Sequence, residues 1–553
     1  MVETPTPKPA ATRAAPDWDL VRKRNNVERL KLDKFPLGIM DEVPELADRN
    51  YLDISEEDMV RFQWYGLYQD KPKVGYFMLR VKAPSGILTA RQYRRLGELS
   101  VQFGRNYTEL STRQNVQLHW LQIKQFPEVM AALKDVGLTS LGGCGDAVRN
   151  VTGCPVAGLD ADELFDCRPE LDEIVQFFLS ERDYFDLPRK HKITISTCAA
   201  QCNAPEINCI VFVGTRQSGR DGFSLRVGGG LSSTPRLARD LNVFIPRENA
   251  REVAQAILDV WRTDLRYRLS RAKARLKFFV DDYGPEGVLD AIQKQLGRPL
   301  EPLEPENAPH PHGAVDHLGV HAQKQPGLHY IGFPVFLGKV TGEQTIAIAD
   351  LAESFGGDVR LARQQNFIIA NVPEARVQHV IDEVGKIGFP LDANAIRGTS
   401  LGCTGQPLCN YAVAETKTRL EEIVLRLEDR FGDQLQGLKI GVDGCPHACG
   451  HHWVSDIGLQ GTTARGDSAE GSGKLEAYEI YLRGGLGADA EIGRPLLRRV
   501  PAEHAAEVVE RLVGAYLGER TDGETFQAFA KRKTDQELIN IAGAEPVAAG
   551  SAA

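Results

Sequence analysis

Apolar and polar positions follow two rhythms along this chain. They predict a strand over 76–82, a helix over 89–103, a strand over 116–123 and a helix over 127–136. That order suits a small α/β sandwich with an antiparallel sheet. The same order returns later. Gly86-Ile-Leu-Thr-Ala-Arg-Gln92 parallels Gly338-Lys-Val-Thr-Gly-Glu-Gln344, and Phe103-Gly104 parallels Phe355-Gly356. After a one-residue gap, Gln114-Asn115 parallels Gln365-Asn366. Further on, Ala147-Val-Arg-Asn150 parallels Ala395-Ile-Arg-Gly398, and Lys192-Ile-Thr-Ile-Ser-Thr-Cys198 parallels Lys439-Ile-Gly-Val-Asp-Gly-Cys445. The chain is a duplication, roughly 51–297 and 319–540, with a Pro/His-rich stretch between the copies. A unit of about 250 residues is far too long for a solenoid. Two copies predict a pseudo-twofold molecule with a site between its halves. No apolar run approaches the roughly 20 residues of a membrane helix. The opening MVETPTPKPAATRAAPDWD has no apolar core and reads as a disordered Pro/Ala arm, not a secretory signal.

Composition adds bounds. A chain of 553 residues exceeds one ordinary core, and 42% hydrophobic with 25% charged residues is usual for a globular protein. The net charge of −9 argues against a general nucleic-acid binder. With no export signal, the ten cysteines are expected in a reducing cytoplasm, as ligands or free thiols.

Four of those cysteines carry most of the chemistry. Cys403-x5-Cys409 and Cys445-x3-Cys449, the latter inside Val442-Asp-Gly-Cys-Pro-His-Ala-Cys-Gly450, can bring four thiolates to one soft metal centre. Structural zinc prefers tighter C-x2-4-C knuckles, so the spacing favours an iron–sulfur cluster while leaving a zinc-stapled, non-enzymatic scaffold open. The first copy keeps Cys154, Cys198 and Cys202 at equivalent places but has Asp160 at the fourth. These are relics, small buried residues, or a second metal site completed by Cys209.

The sequence Gly444-Cys445-Pro-His-Ala-Cys449-x6-Asp456-Ile-Gly-Leu459 resembles the signature of sirohaem- and 4Fe–4S-containing sulfite and nitrite reductases, with Asp443 where Ser, Thr or Val is usual. The resemblance extends over nearly the whole chain, the duplication included. It implies an α+β, internally duplicated fold: two ferredoxin-like α/β half-domains plus two sirohaem- and cluster-binding α/β domains. The boundaries expected are 1–50 for a partly disordered N-terminal arm, 51–140 and 319–391 for the ferredoxin-like halves, 141–297 and 392–540 for the cofactor domains, 298–318 for a linker and 541–553 for a disordered tail. It implies one 4Fe–4S cluster on Cys403, Cys409, Cys445 and Cys449, with Cys449 also the axial ligand of sirohaem.

Small anionic substrates and a polycarboxylate cofactor both require cations. The resemblance makes Arg80 and Arg149 substrate-contacting residues and places Arg113 near the sirohaem carboxylates. Lys190 and Lys192 form Lys-x-Lys, which on a strand would face one way. The family's sulfite enzymes typically have Lys-x-Lys and its plant-type nitrite enzymes Lys-x-Asn, so sulfite is favoured, with nitrite the alternative. A basic run over 262–277 that includes Arg275 and Lys277 is a candidate for the sirohaem carboxylates, for a docking surface or for a solvated helix face. Gly228-Gly-Gly230 suits either close backbone approach or a tight turn. Tyr68 and Cys144 match a side-chain crosslink found in some bacterial members. No dinucleotide fingerprint is present, so electrons are expected from a separate reduced ferredoxin. The expected enzyme is a cytoplasmic monomer reducing sulfite to sulfide.

Overall fold

The computed structural model describes residues 14–311, 316–468 and 471–543. Two five-stranded antiparallel sheets form the ferredoxin-like part. The first runs Leu67–Gln69, Phe77–Val81, Val116–Leu121, Thr108–Leu110, Lys339–Val340. The second runs Gly319–Ala322, Leu328–Phe333, Phe367–Pro373, Asp358–Leu361, Ile87–Thr89. The last strand of each sheet comes from the opposite repeat, with Lys339 opposite Glu109 and Asp358 opposite Thr89. The four elements expected in the first copy are present as Phe77–Val81, Ala90–Phe103, Val116–Leu121 and Phe126–Asp135. The short strands Leu67–Gln69 and Thr108–Leu110 were not anticipated, because three residues carry no readable period.

The exchange explains why 86–92 and 338–344 match so well. Gly86 has φ +75°, and a Cβ there would lie 2.2 Å from the Leu361 carbonyl oxygen. Thr89 with Gln92, and Thr341 with Gln344, then form capping boxes that start the helices Ala90–Phe103 and Gly342–Glu353. Those helices pack at Gly97 and Gly342, where a Cβ would come within 2.6 and 2.7 Å of the other's carbonyl oxygen. One apolar core, including Leu79, Leu96, Leu118, Phe333, Ile348 and Ile369, runs through both repeats.

The other two sheets share a different topology. One runs Glu301–Pro302, Arg239–Pro246, Arg220–Val227, Ile210–Gln217, Ile193–Ser196, Thr152–Gly153; the other runs Leu401–Gly402, Ile440–Asp443, Ile457–Ser468, Gly471–Leu482, Arg494–Pro501. In each, the three strands nearest the cysteines are parallel and the remaining pairings antiparallel. Each sheet has its own core. Cys154 and Cys198 leave the carboxyl ends of two adjacent parallel strands, and Cys403 and Cys445 do the same in the other copy. Carboxyl ends of parallel strands are where open α/β sheets receive ligands.

The terminal expectations need adjustment. From Trp18 onward the arm is helical, as Trp18–Arg24, Asn26–Asp33 and Ile39–Ala47. It straps the first cofactor-type half: Asn25 donates to the Arg268 carbonyl (2.7 Å), and buried Glu28 accepts from Lys31 and Arg268 (both 2.7 Å). Part of the linker is also ordered structure, since Glu301–Pro302 adds an edge strand to the six-stranded sheet. Residues 1–13, and the tail from 544, lie outside the described residues.

Candidate active site

The second-half thiols sit on short loops at the strand ends. The Cys403 backbone N–H donates to Val442 O (3.1 Å), and the Gly444 N–H donates to the Cys403 sulfur (3.4 Å). Cys403 and Cys409 are half-buried, Cys445 is buried and Cys449 is exposed. Burial, and then the neighbouring Asp443 and Cys449, push the Cys403 thiol well up. Burial likewise raises Cys409, and it pushes Cys445 up to about 12, with Cys449 adding to both. Thiols whose thiolate forms would repel one another fit a centre that takes their protons and neutralises the resulting charge. Asp443 has a clear task. Its buried carboxylate accepts from the Gly450 N–H (2.6 Å), from the His452 N–H (3.2 Å) and, at 2.8 Å, from His452 Nδ1. It thereby clamps the Cys445–Cys449 loop, which turns through left-handed residues at Ala448 and His451.

Opposite these thiols stands a group of cations from the first half. The segments 147–149 and 190–192 run side by side, with Val148 bridged to His191, Arg149 N–H on His191 O (2.9 Å) and His191 N–H on Ala147 O (3.1 Å). This pairing brings Arg149 beside Lys190 and Lys192. Lys190 and Lys192 precede the strand Ile193–Ser196 rather than lying in it, flanking the fully buried His191. Both lysines lie deep among protein atoms yet keep part of their surface open, which describes the floor of a cleft. Burial, then the Arg275 and Arg149 charges, bring the Lys190 ammonium down to about 7, while Cys449 opposes the shift. Burial, Arg113 and Arg275 push Lys192 well below its ordinary value.

Arg80 donates to Gln117 Oε1 (2.7 and 3.1 Å) and to Cys144 Sγ (2.9 Å). Burial works against its charge, but Cys144, Tyr68, Cys449 and Cys409 raise its pKa. Arg149 donates to Gly143 O (3.1 Å) and Gly145 O (2.7 Å). Arg113 donates to Asn208 Oδ1 (2.8 Å) and Asn150 O (2.7 Å), and burial brings it down to about 9. Among the described residues none of Arg80, Arg113, Arg149, Arg275, Lys190 or Lys192 lies within 4.0 Å of a carboxylate oxygen. The Nε atoms of Arg113, Arg149 and Arg275 are buried without a partner. Such uncompensated positive charge is costly unless an anionic group shares the cleft.

Two sequence expectations change. Lys277 spends its three donors on the carbonyls of Gly230 (3.4 Å), Leu231 (2.9 Å) and Thr234 (2.5 Å). It fixes the glycine segment, close to Arg275 and Cys209. The basic run over 262–277 is neither a helix face nor a free patch: Arg262 pairs with Asp259, Arg266 with Asp264, Arg268 with Glu28 and Arg271 with Asp146. Arg275 belongs to the site, donating to Leu231 O (3.2 Å) and to Cys209 Sγ (3.4 Å). Gly228–Gly230 packs against the chain's own atoms: a Cβ on Gly230 would lie 2.2 Å from the Arg275 guanidinium. Cys209 therefore belongs with the cations, away from Cys154, Cys198 and Cys202.

Sequence reasoning missed Lys82 and Gln117. Lys82 is buried and brought down to about 7 by burial, Arg149 and Arg113. Gln117 orients Arg80 from the next strand. Lys82 closes the apparent strand 76–82, where a terminal lysine reads as solvated. Tyr68 lies beside Cys144, and burial raises its phenol above the usual range, Cys144 adding to that.

Comparison with known proteins agrees with this geometry. A family described as the nitrite and sulphite reductase 4Fe-4S domain matches residues 144–300 and 393–528, and one described as the nitrite/sulfite reductase ferredoxin-like half domain matches 68–136 and 321–387. The chain is 34% identical to sulfite reductase (ferredoxin) 1 of Mycolicibacterium paratuberculosis over 96% of this chain and 100% of that protein. It is 36% identical to ferredoxin–nitrite reductase of Synechococcus elongatus over 89% and 96% of the two chains. The solved structure of the Mycobacterium tuberculosis NirA protein superposes with a TM-score of 0.88 at 32% identity, covering 95% of this chain and 100% of that one. The reading of the four second-half thiols as a zinc staple in a non-enzymatic scaffold is thereby set aside. The chain belongs to the nitrite and sulfite reductase family, carries its 4Fe–4S domain and is an oxidoreductase.

Proposed function

We propose that this enzyme reduces sulfite to sulfide with electrons from reduced ferredoxin. The observation that carries the reading is the Lys190/Lys192 pair beside Arg149, with Lys190 close to Cys449 and, among the described residues, no carboxylate oxygen within 4.0 Å of either lysine. Cys403, Cys409, Cys445 and Cys449 would hold the 4Fe–4S cluster. Arg113 and Arg275, with buried and unpartnered Nε atoms, fit the carboxylates of sirohaem, and Cys449 would link the two groups. When bound, these groups would supply electrons and an iron able to bind the substrate. The chain's own contribution is electrostatic and protonic. Arg80 and Arg149, held by Gln117 and by backbone carbonyls, present preorganised positive charge to a small oxyanion. Lys190, whose ammonium is made more acidic by burial and by Arg275 and Arg149, is placed to release protons as each S–O bond breaks. Tyr68 and Cys144 adjoin within this site and are the proposed crosslink pair.

Nitrite remains the second reading, because relatives of comparable identity are named ferredoxin–nitrite reductases. Steady-state kinetics with reduced ferredoxin decide: kcat/KM for sulfite should exceed that for nitrite, and the reverse order overturns the assignment. Lys190→Ala should lower sulfite turnover about 100-fold, the usual loss for one oxyanion-stabilising donor, with iron content unchanged. Wild-type turnover in that variant removes the role of Lys190. Peptide mass spectrometry showing unmodified Tyr68 and Cys144 in full yield removes the crosslink.

A further inference from the structure

The thiols of the first half are not scattered relics. The ligand atoms of Cys154, Cys202 and His317 all lie within 4.8 Å of one another, and so do those of Cys154, Cys198 and Asp160. All three cysteines and His317 are buried. His317 Nε2 stands 3.2 Å from the Cys202 sulfur. Cys154 is within hydrogen-bonding reach of both Cys198 and Cys202. Among the described residues the second-half thiols form no trio this tight. The same fold thus spaces one thiol set widely and gathers the other. Tetrahedral zinc with Zn–S bonds of about 2.3 Å places its sulfurs roughly 4 Å apart. The thiolates of a cubane sit on different irons and stand farther apart.

We propose that Cys154, Cys202 and His317, with Cys198 as fourth ligand, bind one structural zinc ion. Cys3His is an established donor set for closed structural sites. His317 also has the orienting partner that ligand imidazoles usually have, its Nδ1 lying 3.5 Å from the Tyr330 hydroxyl. Further contacts position the ligands. Arg363 Nε donates to Cys202 O (3.1 Å) and Ser85 Oγ to Cys154 O (2.9 Å). The His317 backbone is pressed onto Gly332, where a Cβ would lie 1.8 Å from its carbonyl oxygen.

The ligands come from two parts of the chain. The cysteines belong to the first cofactor-type half, and His317 stands at the end of the linker, two residues before the strand Gly319–Ala322 that begins the second ferredoxin-like half. The seam is already stitched by Lys324 N–H on Leu159 O (2.8 Å), Lys324 Nζ on Glu163 (2.6 Å) and Gln325 on Gly158 O (2.8 Å). Zinc there would clip the two repeats together, its binding displacing the thiol protons to solvent. The proposal does not depend on the substrate or on the cluster.

The test is metal analysis of anaerobically purified holoenzyme, counting zinc, iron and acid-labile sulfide per chain. About one zinc per chain is expected from a single closed site, in addition to the iron of the redox groups. Cys202→Ser and His317→Ala should reduce zinc at least about tenfold through loss of a ligand, without altering the iron-to-sulfide ratio. His317→Cys, which keeps four soft donors, should retain zinc. Wild-type protein free of zinc and unable to take up added Zn²⁺ overturns the proposal, whatever the variants do. So does extra iron and sulfide in place of zinc, or a stoichiometric disulfide among Cys154, Cys198 and Cys202.

Discussion

Arg149 and Arg397 occupy equivalent places in the two repeats and meet opposite fates. Arg397 is held by both carboxylate oxygens of Glu428 at 2.7 Å. Among the described residues Arg149 is held only by glycine carbonyls, with no carboxylate oxygen within 4.0 Å. Lys192 faces Arg113 and Arg275, whereas its counterpart Lys439 is close to Asp456 and Asp316. The thiols are divided the other way. The second half spreads four along open loops; the first half sets Cys154 close to both Cys198 and Cys202, with His317 turned onto the Cys154 and Cys202 side. One repeat keeps its cations available and the other its thiols, and the site forms where the two meet. Even the supports correspond: Thr112 Oγ1 donates to Cys449 O (2.8 Å), and Arg363 donates to Cys202 O. Duplication supplied the scaffold twice, and the chemistry followed which charges each copy neutralised.

The strongest way to break this comparison is to exchange the thiol sets' metals. Cys449→Ser should remove most cluster iron and lower turnover by at least about three orders of magnitude, roughly 4 kcal/mol in the barrier, while zinc stays. Cys202→Ser should do the converse with metals. Loss of iron in both variants to the same degree would show that the two sets act as one centre.

A second contrast concerns the arginines. Arg149→Met should cost about 100-fold in kcat/KM, the scale of one preorganised charge at a reacting anion. Arg397→Met should cost about 1 kcal/mol of stability, since its pair with Glu428 is partly exposed to solvent, and leave kinetics within about twofold. Equal kinetic losses would erase the asymmetry.

Asp146 sharpens the comparison at a smaller scale, because its counterpart is Asn394. The Asp146 carboxylate is fully buried, accepts from Arg271 (2.6 Å) and Arg189 (3.1 Å), and has its pKa lowered to about 2. Burial opposes that shift; Arg271, Lys31 and Arg189 bring it about. A carboxyl depressed from its ordinary value near 4 stabilises by about 2 kcal/mol at neutral pH. That contribution is full above about pH 4 and fades as pH falls toward about 2. Denaturant midpoints should therefore place Asp146→Asn below wild type at pH 7 and close to it near pH 2. A gap that does not change with pH would contradict this electrostatic account. Smallest of all, Thr112→Val should cost about 1 kcal/mol, the net value of one hydrogen bond, read as a lower thermal midpoint of the cluster-loaded protein.

Much of this was legible in residues alone. The Cys-x5-Cys and Cys-x3-Cys spacings, the matched Gly86–Gln92 and Gly338–Gln344 motifs, and the Lys-x-Lys pair are local signals, and local signals survive in one dimension. Four soft donors at short spacing can serve few purposes, and a capping box or a left-handed glycine is written within a handful of residues. Tertiary structure decided the rest. The exchange of Ile87–Thr89 and Lys339–Val340 between sheets depends on pairing across more than 200 residues, a separation at which local pattern carries no information. Shorter separations hide contacts as well: His317 at Cys202, Glu428 silencing Arg397, and Lys277 turning into the glycine loop all depend on the fold. A side chain's type can be read from its position in the sequence. Whether its charge or thiol is free to act depends on what the fold places against it.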